Sequence, residues 1–324
     1  MRALITGGGG FLGSHLAARL SSRGDEVRCL VREGARADLL ASARAELARG
    51  DVTAPKTLEA AVRGVEVVFH LAGVRRAPDR ESFFRVNAEG TRNVCRAAAA
   101  AGAKRLVLAS SLAVHGPSSP GRPHVESDPF APTEWYGESK VAAEEVAHGF
   151  RDRLDVAVAR PPRIMGPGDR ENLLFFRLVQ HRVELSILGP PRRISIVDVE
   201  DAVDLLLLLA ERSEAVGEAF LAPGPADVTQ EELQEEISRA LGRRPWKVPL
   251  PPALLTGAAA AADAASKLFG RNLPLNRKLA RQLLAPGWCC SGAKAERILG
   301  WRPSRSPAES VAAAARWYRE HRWI

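Results

Sequence analysis

The chain has 324 residues, of which 46% are hydrophobic and 26% are charged, proportions that are ordinary for a folded globular protein and exclude extended disorder. Its formal net charge is +8, but the basic residues are scattered rather than clustered, so the charge does not indicate nucleic-acid binding. A modest preference for anionic small molecules is the more reasonable expectation.

Short β-branched runs alternate with longer helical segments through the first 160 residues. Nearly continuous apolar character is typical of parallel strands that are buried on both faces. Strands are predicted at residues 2–6, 26–31, 45–48, 65–71, 105–109 and 155–160. Helices are predicted at residues 10–23, 57–63, 82–101 and 136–151. This order predicts an α/β fold, with a doubly wound parallel sheet of the Rossmann type as a dinucleotide-binding domain over residues 1–165.

Proline and glycine residues break the pattern after residue 160. Beyond the break, helices are predicted at residues 173–181, 198–212, 230–241, 252–269 and 307–319. They predict a smaller, mostly helical substrate-binding region at residues 166–194 and 223–324, while residues 195–222 return to the first domain. The apolar stretches at residues 205–210 and 251–262 are shorter than the about 20 residues that span a bilayer, so no integral membrane segment is expected.

The cysteines and the N-terminus bear on the cellular compartment. The cysteines are Cys29, Cys95, Cys289 and Cys290. They lack zinc-ligand spacing, so we expect reduced thiols, no metal site and a cytoplasmic protein. The apolar run at residues 3–5 is too short for the core of a signal peptide, so no secretion signal is expected.

The first predicted strand leads directly into the sequence TGGGGFLG at residues 6–13, and a helix follows. Gly7 permits a tight turn, Gly10 lets the backbone approach a pyrophosphate, and Gly13 permits close packing of helix on strand. The amides at the start of the helix, around Phe11 and Leu12, are then directed at the phosphates. The position between strand and helix favours a dinucleotide-binding turn over a merely flexible one.

The end of the second predicted strand bears on the choice between NAD and NADP. Proteins that bind NAD place Asp or Glu there to bind the ribose 2′-hydroxyl, whereas this chain has Val31 followed by Arg32. A guanidinium group suits a 2′-phosphate, and Arg36 is a second candidate for that contact. We therefore predict NADP as the cofactor, with NAD as the alternative.

Further cofactor contacts are expected from the loops after the third and fourth strands, because such sheets bind ligands at the carboxyl ends of their strands. Asp51 and Val52 are expected to flank the adenine. Leu71, Ala72 and Gly73 are expected beside the phosphates and the ribose.

Tyr136 and Lys140 lie four residues apart on a predicted helix, so their side chains share one face. A free tyrosine has a pKa of about 10, and a neighbouring ammonium group with the positive ring of an oxidised nicotinamide would lower that value. Tyr136 would then exchange a proton with a substrate oxygen while a hydride moves at carbon. Ser111 follows the fifth predicted strand, which brings its hydroxyl to the same edge of the sheet to hold that oxygen.

Along almost its whole length the chain resembles the extended short-chain dehydrogenase/reductase family, also called the NAD-dependent epimerase/dehydratase family. The matching motifs are TGGGGFLG (6–13), HLAG (70–73), NAEGT (87–91), SSLAVHG (110–116), YGESK (136–140), RPPRIMGPGD (160–169), VDVEDAV (197–203) and LGWRPS (299–304). The resemblance implies an enzyme with a phosphate loop at the three spaced glycines and a catalytic set of Ser111, Tyr136 and Lys140.

The resemblance also implies roles for residues that the patterns alone do not single out. Asn87 and Pro161 are expected on the cofactor side. The expected substrate-side residues are Ser111, Arg163 and Asn172. The family further implies a homodimer through the helices that carry Asn87 and Tyr136.

Departures from the family pattern indicate which branch of the family the chain resembles. Leu112 and Ala113 stand where sugar-nucleotide 4,6-dehydratases carry an Asp-Glu pair, so dehydration lacks its acid and base. The Arg-Pro-Pro segment, the Val-Arg strand end and the apolar C-terminal stretch look more like the reductase and hydroxysteroid-dehydrogenase-like branches, which act on fairly apolar substrates. An apolar group near the C-terminus is open to interpretation as core, substrate wall or membrane-surface contact. Its members are Leu254, Leu255, Leu268 and Phe269.

Three functions are consistent with these residues. The first is reversible hydride transfer between NADP(H) and a carbonyl or secondary alcohol of a small-molecule substrate. The second is a sugar-nucleotide epimerase, which would use the same residues but retain a tightly bound NAD. The third is a non-catalytic sensor or scaffold that keeps only the cofactor site.

Overall fold

The computed structural model describes residues 1–34, 38–41, 43–269 and 277–324. The strands are β1 Arg2–Thr6, β2 Glu26–Val31, β3 Ala45–Arg49, β4 Val67–His70, β5 Arg105–Ala109, β6 Asp155–Arg160, β7 Arg163–Met165, β8 Val183–Ile187, β9 Arg193–Asp198, β10 Ala219–Leu221, β11 Asp227–Thr229, β12 Trp246–Leu250 and β13 Gly287–Trp288. The α-helices are α1 Phe11–Ser22, α2 Leu58–Ala61, α3 Arg80–Phe84, α4 Gly90–Ala100, α5 Trp135–His148, α6 Leu173–Gln180, α7 Val199–Glu211, α8 Gln230–Leu241, α9 Pro252–Phe269, α10 Arg277–Leu284, α11 Ala293–Leu299 and α12 Pro307–Glu320.

Seven of the described strands form a parallel sheet in the order β10-β6-β5-β4-β1-β2-β3. The order runs outward in both directions from β1, so a crevice forms between β1 and β4 at the carboxyl edge of the sheet. This arrangement confirms the predicted α/β fold with a doubly wound parallel sheet.

Alternate side chains of the strands enter hydrophobic cores on opposite faces of the sheet, as the pleat requires. In β1, Ile5 packs in the core that contains α1 and α7, whereas Leu4 packs in the core beneath α2, α4 and α5. Both residues are fully buried. Because the central strands β1, β4, β5 and β6 are covered on both faces, the site-bearing loops that follow them project from a rigid platform.

The predicted strands of the first 160 residues are all present, and their bounds differ by at most two residues from those expected. The helix predicted at residues 82–101 is wrong in one respect, because it is not continuously α-helical. A π-helical turn, Arg85–Glu89, separates α3 from α4. Turns of this kind are rare and frequently accompany functional sites.

Short strands occupy much of the region after residue 160, where only helices were predicted. Strands β11, β9, β13 and β7 form a small sheet, and β12 pairs with β8. Helices α10 and α11 were also not predicted. These short strands contain proline and charged residues, so the sequence does not show a strand pattern. The strands form because segments from distant parts of the chain pair with them.

The seventh strand of the main sheet, β10, pairs with β6, and α7 packs on the same core as α1. This packing supports the expected return of residues 195–222 to the first domain, and the division at residues 165/166 and 222/223 stays a prediction. A search of the described residues finds no helix long and apolar enough to cross a membrane.

Candidate active site

An open cleft lies beside the carboxyl ends of β5 and β6. It is next to the crevice between β1 and β4, where this fold binds ligands. The residues that line the cleft are Arg75, Ser111, Leu112, Ala113, Glu134, Tyr136, Pro162, Arg163, Phe175, Arg192, Ile194, Ser195, Gln230, Leu279, Gln282, Leu283, Ala285 and Trp288. Two of the predicted catalytic residues, Ser111 and Tyr136, are among them.

The glycine turn after β1 leaves room for a ligand that side chains would fill. Gly7 adopts a positive φ of 73°, and a Cβ atom there would lie 2.9 Å from the backbone nitrogen of Ala72. A Cβ atom on Gly13 would lie 2.3 Å from the carbonyl oxygen of Gly7, so glycine is required for α1 to pack on the turn. Gly10 is the N-cap residue, and no side chain of the described residues caps α1. The first amides of α1, from Phe11 onward, remain available to a phosphate.

Buried hydrogen bonds join the glycine turn to the helix that carries Asn87. The Thr6 hydroxyl lies 2.7 Å from His70 Nδ1, and the Thr91 hydroxyl lies 2.9 Å from His70 Nε2. Thr91 donates to the carbonyl of Asn87 at 2.6 Å, so its oxygen accepts from Nε2–H and leaves Nδ1 to accept from Thr6. Burial and the nearby charge of Lys140 lower the pKa of His70 to about 3. The neutral ring therefore holds one tautomer at neutral pH.

Asn87 lies within the π-helical turn and connects two segments of the site. Its amide nitrogen donates to the Val74 carbonyl at 3.0 Å and to Ser139 Oγ at 2.9 Å, while its amide oxygen accepts from the Val74 amide at 2.8 Å. Ser139 in turn donates to the carbonyl of Tyr136 at 2.7 Å. The loop after β4 is thereby tied to the first turn of α5.

The structure places the hydroxyls of Ser111 and Tyr136 beside each other, near enough for the serine to act on the phenol by hydrogen bonding. Ser111 Oγ also accepts from the amide of Ala113 at 3.2 Å, which leaves its proton to be donated to the phenol oxygen. Burial raises the pKa of Tyr136, and Arg75 and the bond from Ser111 act in the opposite direction. The guanidinium carbon of Arg75 lies 5.7 Å from the centroid of the tyrosine ring.

Lys140 is buried one turn further along α5, where its ammonium group donates to the carbonyl of Ala109 at 2.6 Å. Burial lowers the pKa of Lys140 to about 8, and the neighbouring Glu144 opposes that shift. The cation that acts most strongly on Tyr136 is Arg75, which the sequence did not suggest.

Gly73 leaves a space bounded by polar groups of the site. A Cβ atom there would lie 3.0 Å from Asn87 Oδ1 and 3.5 Å from Lys140 Nζ. The absence of a side chain on this glycine therefore keeps a carboxamide and an ammonium group accessible from the crevice. Such a pair fits the hydroxyls of a ribose, so these residues are suited to hold a nicotinamide dinucleotide.

The predicted residues for the adenosine part of a cofactor lie around the end of β2. Val31 is buried, and the Arg32 side chain that follows it is exposed. Within the part of the chain that the structure describes, Arg32 has no carboxylate partner. Asp51 accepts from the amide and hydroxyl of Thr53, both at 2.8 Å. Arg36 lies outside the described residues.

The remaining predicted cofactor residues lie behind or beside the crevice. Val52 is a core residue beneath α4, and Leu12 is partly buried against the core on the other face of the sheet. The amide of Leu71 donates to the carbonyl of Thr6 at 3.2 Å, which places the loop after β4 against the glycine turn. Pro161 is buried at the end of β6.

Arg163 and Asn172, the predicted substrate-side pair, are bonded to each other. The Asn172 amide oxygen accepts from Arg163 Nη1 at 3.2 Å, and its nitrogen donates to Asp169 at 2.5 Å. Asn172 is buried and does not line the cleft, whereas Arg163 does. Asn172 thus orients the guanidinium group, which is the part of the pair that faces the cleft.

Several residues of the cleft escaped sequence reasoning. Arg75 comes two residues after the HLAG motif and Glu134 two residues before Tyr136, so proximity to a motif was the available signal. Glu134 accepts a hydrogen bond from Gln282 of α10, a contact between distant segments that no local pattern indicates.

Comparisons with known proteins identify the family to which the chain belongs. The NAD dependent epimerase/dehydratase family matches residues 3–222. A ceramide reductase of Caulobacter vibrioides is 33% identical, with 99% of this chain and 95% of that protein covered. Sterol demethylase protein B of Methylococcus capsulatus is 29% identical, with 100% of each covered. The structure of DesIV, a dTDP-glucose 4,6-dehydratase of Streptomyces venezuelae with NAD bound, is 26% identical, with a TM-score of 0.81 and with 100% of this chain and 98% of that chain covered. The chain therefore belongs to the NAD-dependent epimerase/dehydratase family and is an NAD(P)-dependent enzyme.

Proposed function

We propose that this protein is an NADP(H)-dependent oxidoreductase that transfers a hydride between the nicotinamide and a carbonyl or secondary alcohol of a fairly apolar substrate. The observation that carries the proposal is the pair of neighbouring hydroxyls, Ser111 and Tyr136, on the wall of an open cleft. Two hydroxyls that converge in a cleft are able to hold one carbonyl oxygen and supply it with a proton.

In the direction of reduction, Ser111 donates a hydrogen bond to the carbonyl oxygen and Tyr136 transfers its phenolic proton to it. The dinucleotide, when bound, supplies the hydride. The phenolate left on Tyr136 is stabilised by the charge of Arg75, which lowers the tyrosine pKa, while the single proton of Ser111 stays directed at the substrate oxygen. Lys140 and Asn87, on either side of the space at Gly73, hold the ribose in place.

The preference for NADP rests on the end of β2. The position for a ribose-binding carboxylate holds the buried Val31, and Arg32 presents an exposed guanidinium group just after it. A 2′-phosphate would receive charge-assisted hydrogen bonds from that group, whereas a 2′-hydroxyl would find no carboxylate at the strand end.

The preference for an apolar substrate rests on the walls of the cleft. Its apolar members include Leu112, Phe175, Ile194, Leu279, Leu283 and Trp288. Two relatives of the chain, a ceramide reductase and a sterol demethylase, are named for lipids, which supports this preference. Dehydration is disfavoured because Leu112 and Ala113 follow Ser111 where an acid-base pair would be needed.

Turnover measurements with a matched variant test the proposal. Purified protein would be incubated with NADPH or NADH and a panel of long-chain and cyclic ketones, and cofactor absorbance would be followed. Tyr136→Phe is expected to reduce kcat by about 10²- to 10⁴-fold, because the proton donor is lost. Equal rates for the two proteins across the panel would refute the assigned role of the phenol.

The same assay separates the oxidoreductase from the epimerase alternative. An oxidoreductase consumes one cofactor for each substrate molecule that reacts. An epimerase would copurify with NAD and convert a sugar nucleotide without net change in cofactor absorbance. That second result would replace the proposed reaction while leaving the roles of Ser111 and Tyr136 in place.

We also propose that the protein forms a homodimer through α4 and α5. Val141 and Ala142 on α5 are half-buried apolar side chains, and such residues on adjacent helices are suited to a four-helix interface. Sedimentation velocity would give the mass of a dimer, and Ala142→Glu would shift it to that of a monomer. A monomer at micromolar concentration would contradict this proposal.

A further inference from the structure

The cleft contains more positive charge than the proposed chemistry uses. Arg75, Arg163 and Arg192 all line it, whereas Glu134 is the one carboxylate among the described lining residues. The guanidinium group of Arg75 stands over the ring of Tyr136. Cationic side chains are therefore present next to the proton donor as well as further along the wall.

The hydrogen bonds of these arginines go to neutral atoms of the protein. Arg163 donates to Asn172 Oδ1 at 3.2 Å, and Arg192 donates to the carbonyl of Leu188 at 3.5 Å. In residues 1–34, 38–41, 43–269 and 277–324, no carboxylate oxygen lies within 4.0 Å of Arg75, Arg163 or Arg192. Each guanidinium group has five N–H donors, so these bonds leave donors to offer to a ligand.

The nearby carboxylates are engaged elsewhere. Glu134 accepts from Gln282 across the cleft wall. Glu171 pairs with Arg76 at 3.0 Å. Asp169 accepts from the amide of Glu171 at 2.7 Å and is buried. The charges of the three cleft arginines are thus compensated only at longer range by the protein itself.

Arg75 and Arg163 are also close enough to repel each other. Burial lowers the pKa of Arg163, the charge of Arg75 adds to that effect, and the more distant charges of Asp169 and Glu171 oppose it. Two like charges beside apolar walls are unfavourable unless an anion joins them. A phosphate or carboxylate would accept paired hydrogen bonds from such planar groups, for which guanidinium has the matching geometry.

We propose that the substrate is amphipathic, with a phosphate or carboxylate held by Arg75, Arg163 and Arg192 and an apolar part held against Leu279, Leu283 and Trp288. The proposal rests on the function proposed above, because it places this molecule beside Ser111 and Tyr136. It names the substrate class: a carbonyl or alcohol compound that carries an anionic group near its reacting carbon and a hydrocarbon chain beyond it.

Binding measurements test this without requiring turnover. Decyl phosphate, decanoate and decanol would be titrated by calorimetry into protein saturated with NADP⁺, so that the phosphate site at the glycine turn is filled. One or both anionic probes are expected to bind at least tenfold more tightly than decanol. Preference for decyl phosphate would identify a phosphate-bearing substrate, and preference for decanoate a carboxylate.

Matched variants locate the anion. Arg163→Gln and Arg75→Gln are each expected to weaken the preferred anionic probe at least tenfold while changing decanol binding less than twofold. Arg76→Gln is the control, because Arg76 adjoins Arg75 in sequence but does not line the cleft and is paired with Glu171. Dissociation constants for NADP⁺ would be measured for every variant and are expected to stay within twofold of the starting protein.

Three results would overturn the proposal: equal affinity for decyl phosphate, decanoate and decanol, equal losses in Arg76→Gln and Arg163→Gln, or a loss confined to NADP⁺ binding. Failure of the proposed function looks different. If the protein bound the anionic probes as expected but reduced no ketone, the proposed anion site would stand and the proposed reaction would be refuted. Tyr136→Phe, which retains the guanidinium groups, is expected to bind the probes normally in either case.

Discussion

The ammonium group of Lys140 donates a hydrogen bond of 2.6 Å to the backbone carbonyl of Ala109, so helix α5 is tied to the carboxyl end of strand β5. Tyr136 lies one turn before Lys140, and Ser111 lies two residues after Ala109. A single buried bond therefore fixes the relative positions of the two segments that carry the proposed catalytic hydroxyls. Its donor is a charged group, which makes this link sensitive to pH.

We expect Lys140→Met to be more stable than the natural chain at pH 7, although less active. Burial lowers the pKa of Lys140 to about 8, whereas a lysine in an unfolded chain has a pKa of about 10.4. At neutral pH the folded protein therefore carries a penalty for the charged form, and that penalty declines between about pH 8 and about 10.4, where the folded protein has released the proton and the unfolded chain still holds it. The expected gain is about 1–2 kcal/mol, reduced by the loss of a partner for one carbonyl.

Urea unfolding at pH 7 and pH 10 would measure this difference. Lys104→Met is the control, because Lys104 is exposed and its replacement is expected to change the free energy of unfolding little at either pH. A Lys140→Met variant that is destabilised equally at both pH values would show that burial of the charge carries no penalty.

Ser111→Ala is expected to slow catalysis and to move its pH dependence. The hydrogen bond from Ser111 lowers the pKa of Tyr136, and alcohol oxidation requires the deprotonated phenol. Without the serine, the rate of oxidation should rise at higher pH than in the natural protein, and kcat should fall about 10- to 100-fold. Initial rates of NADP⁺ reduction across pH 6–11 would show both effects.

Ser110→Ala is the matched control for that experiment. Ser110 is buried, and its hydroxyl has no hydrogen-bond partner within the described chain. Its removal should therefore leave the pH profile in place. Identical shifts in the two variants would mean that Ser111 acts only through the packing of the loop.

Arg32→Ala is expected to weaken NADPH binding about tenfold or more, since a charge-assisted bond to the 2′-phosphate would be lost. NADH binding should be unchanged. Fluorescence titration of each cofactor would measure the difference, with the exposed Arg44→Ala as a control for general loss of positive charge. Parallel losses for both cofactors would place Arg32 away from the 2′ position.

Glu200→Gln is expected to destabilise the protein by about 1–3 kcal/mol at pH 7. Glu200 of α7 accepts from His15 at 2.6 Å and from Arg19 at 2.5 Å, both on α1. These bonds hold the pKa of Glu200 at about 2, compared with about 4.3 in an unfolded chain. The stabilisation is therefore complete above about pH 4.3 and is lost as the pH falls toward 2.

Urea unfolding at pH 7 and pH 3 would test that dependence, and the two proteins should differ less at the lower pH. The exposed pair of Arg23 and Glu211 supplies the control, because Glu211→Gln should change stability by less than about 1 kcal/mol. A difference that is the same at both pH values would mean that Glu200 stabilises α1 without its charge.

Local patterns predicted the central sheet well because most of its strands are apolar on both faces and need no distant information to be recognised. The bounds of β1 and β2 matched for this reason, and the glycines between β1 and α1 indicated the turn. Ser111 and Tyr136 also came from local signals, a strand end and a helical spacing. The two hydroxyls lie beside each other in the folded chain, where these two signals meet.

Tertiary pairing determines the features that the sequence did not reveal. Strand β12 contains Pro249, which argues against a strand, yet the strand forms because β8 pairs beside it. Arg75 lies in an irregular loop, where periodicity says nothing about the direction of a side chain. The hydrogen bond from Gln282 to Glu134 joins segments that are far apart in the chain, so no local motif predicts it.

The π-helical turn Arg85–Glu89 lies between two residues whose side chains are held in place by other parts of the site, Phe83 and Thr91. On one side Phe83 packs against the ring of Tyr136, with centroids 6.5 Å apart, and on the other Thr91 is bonded to His70. If the same residues formed a regular α-helix, one anchor would turn by about 100° relative to the other, because a π-helical turn contains more residues than an α-helical one. The additional residue in this turn therefore allows Phe83 to face Tyr136 and Thr91 to face His70 at the same time.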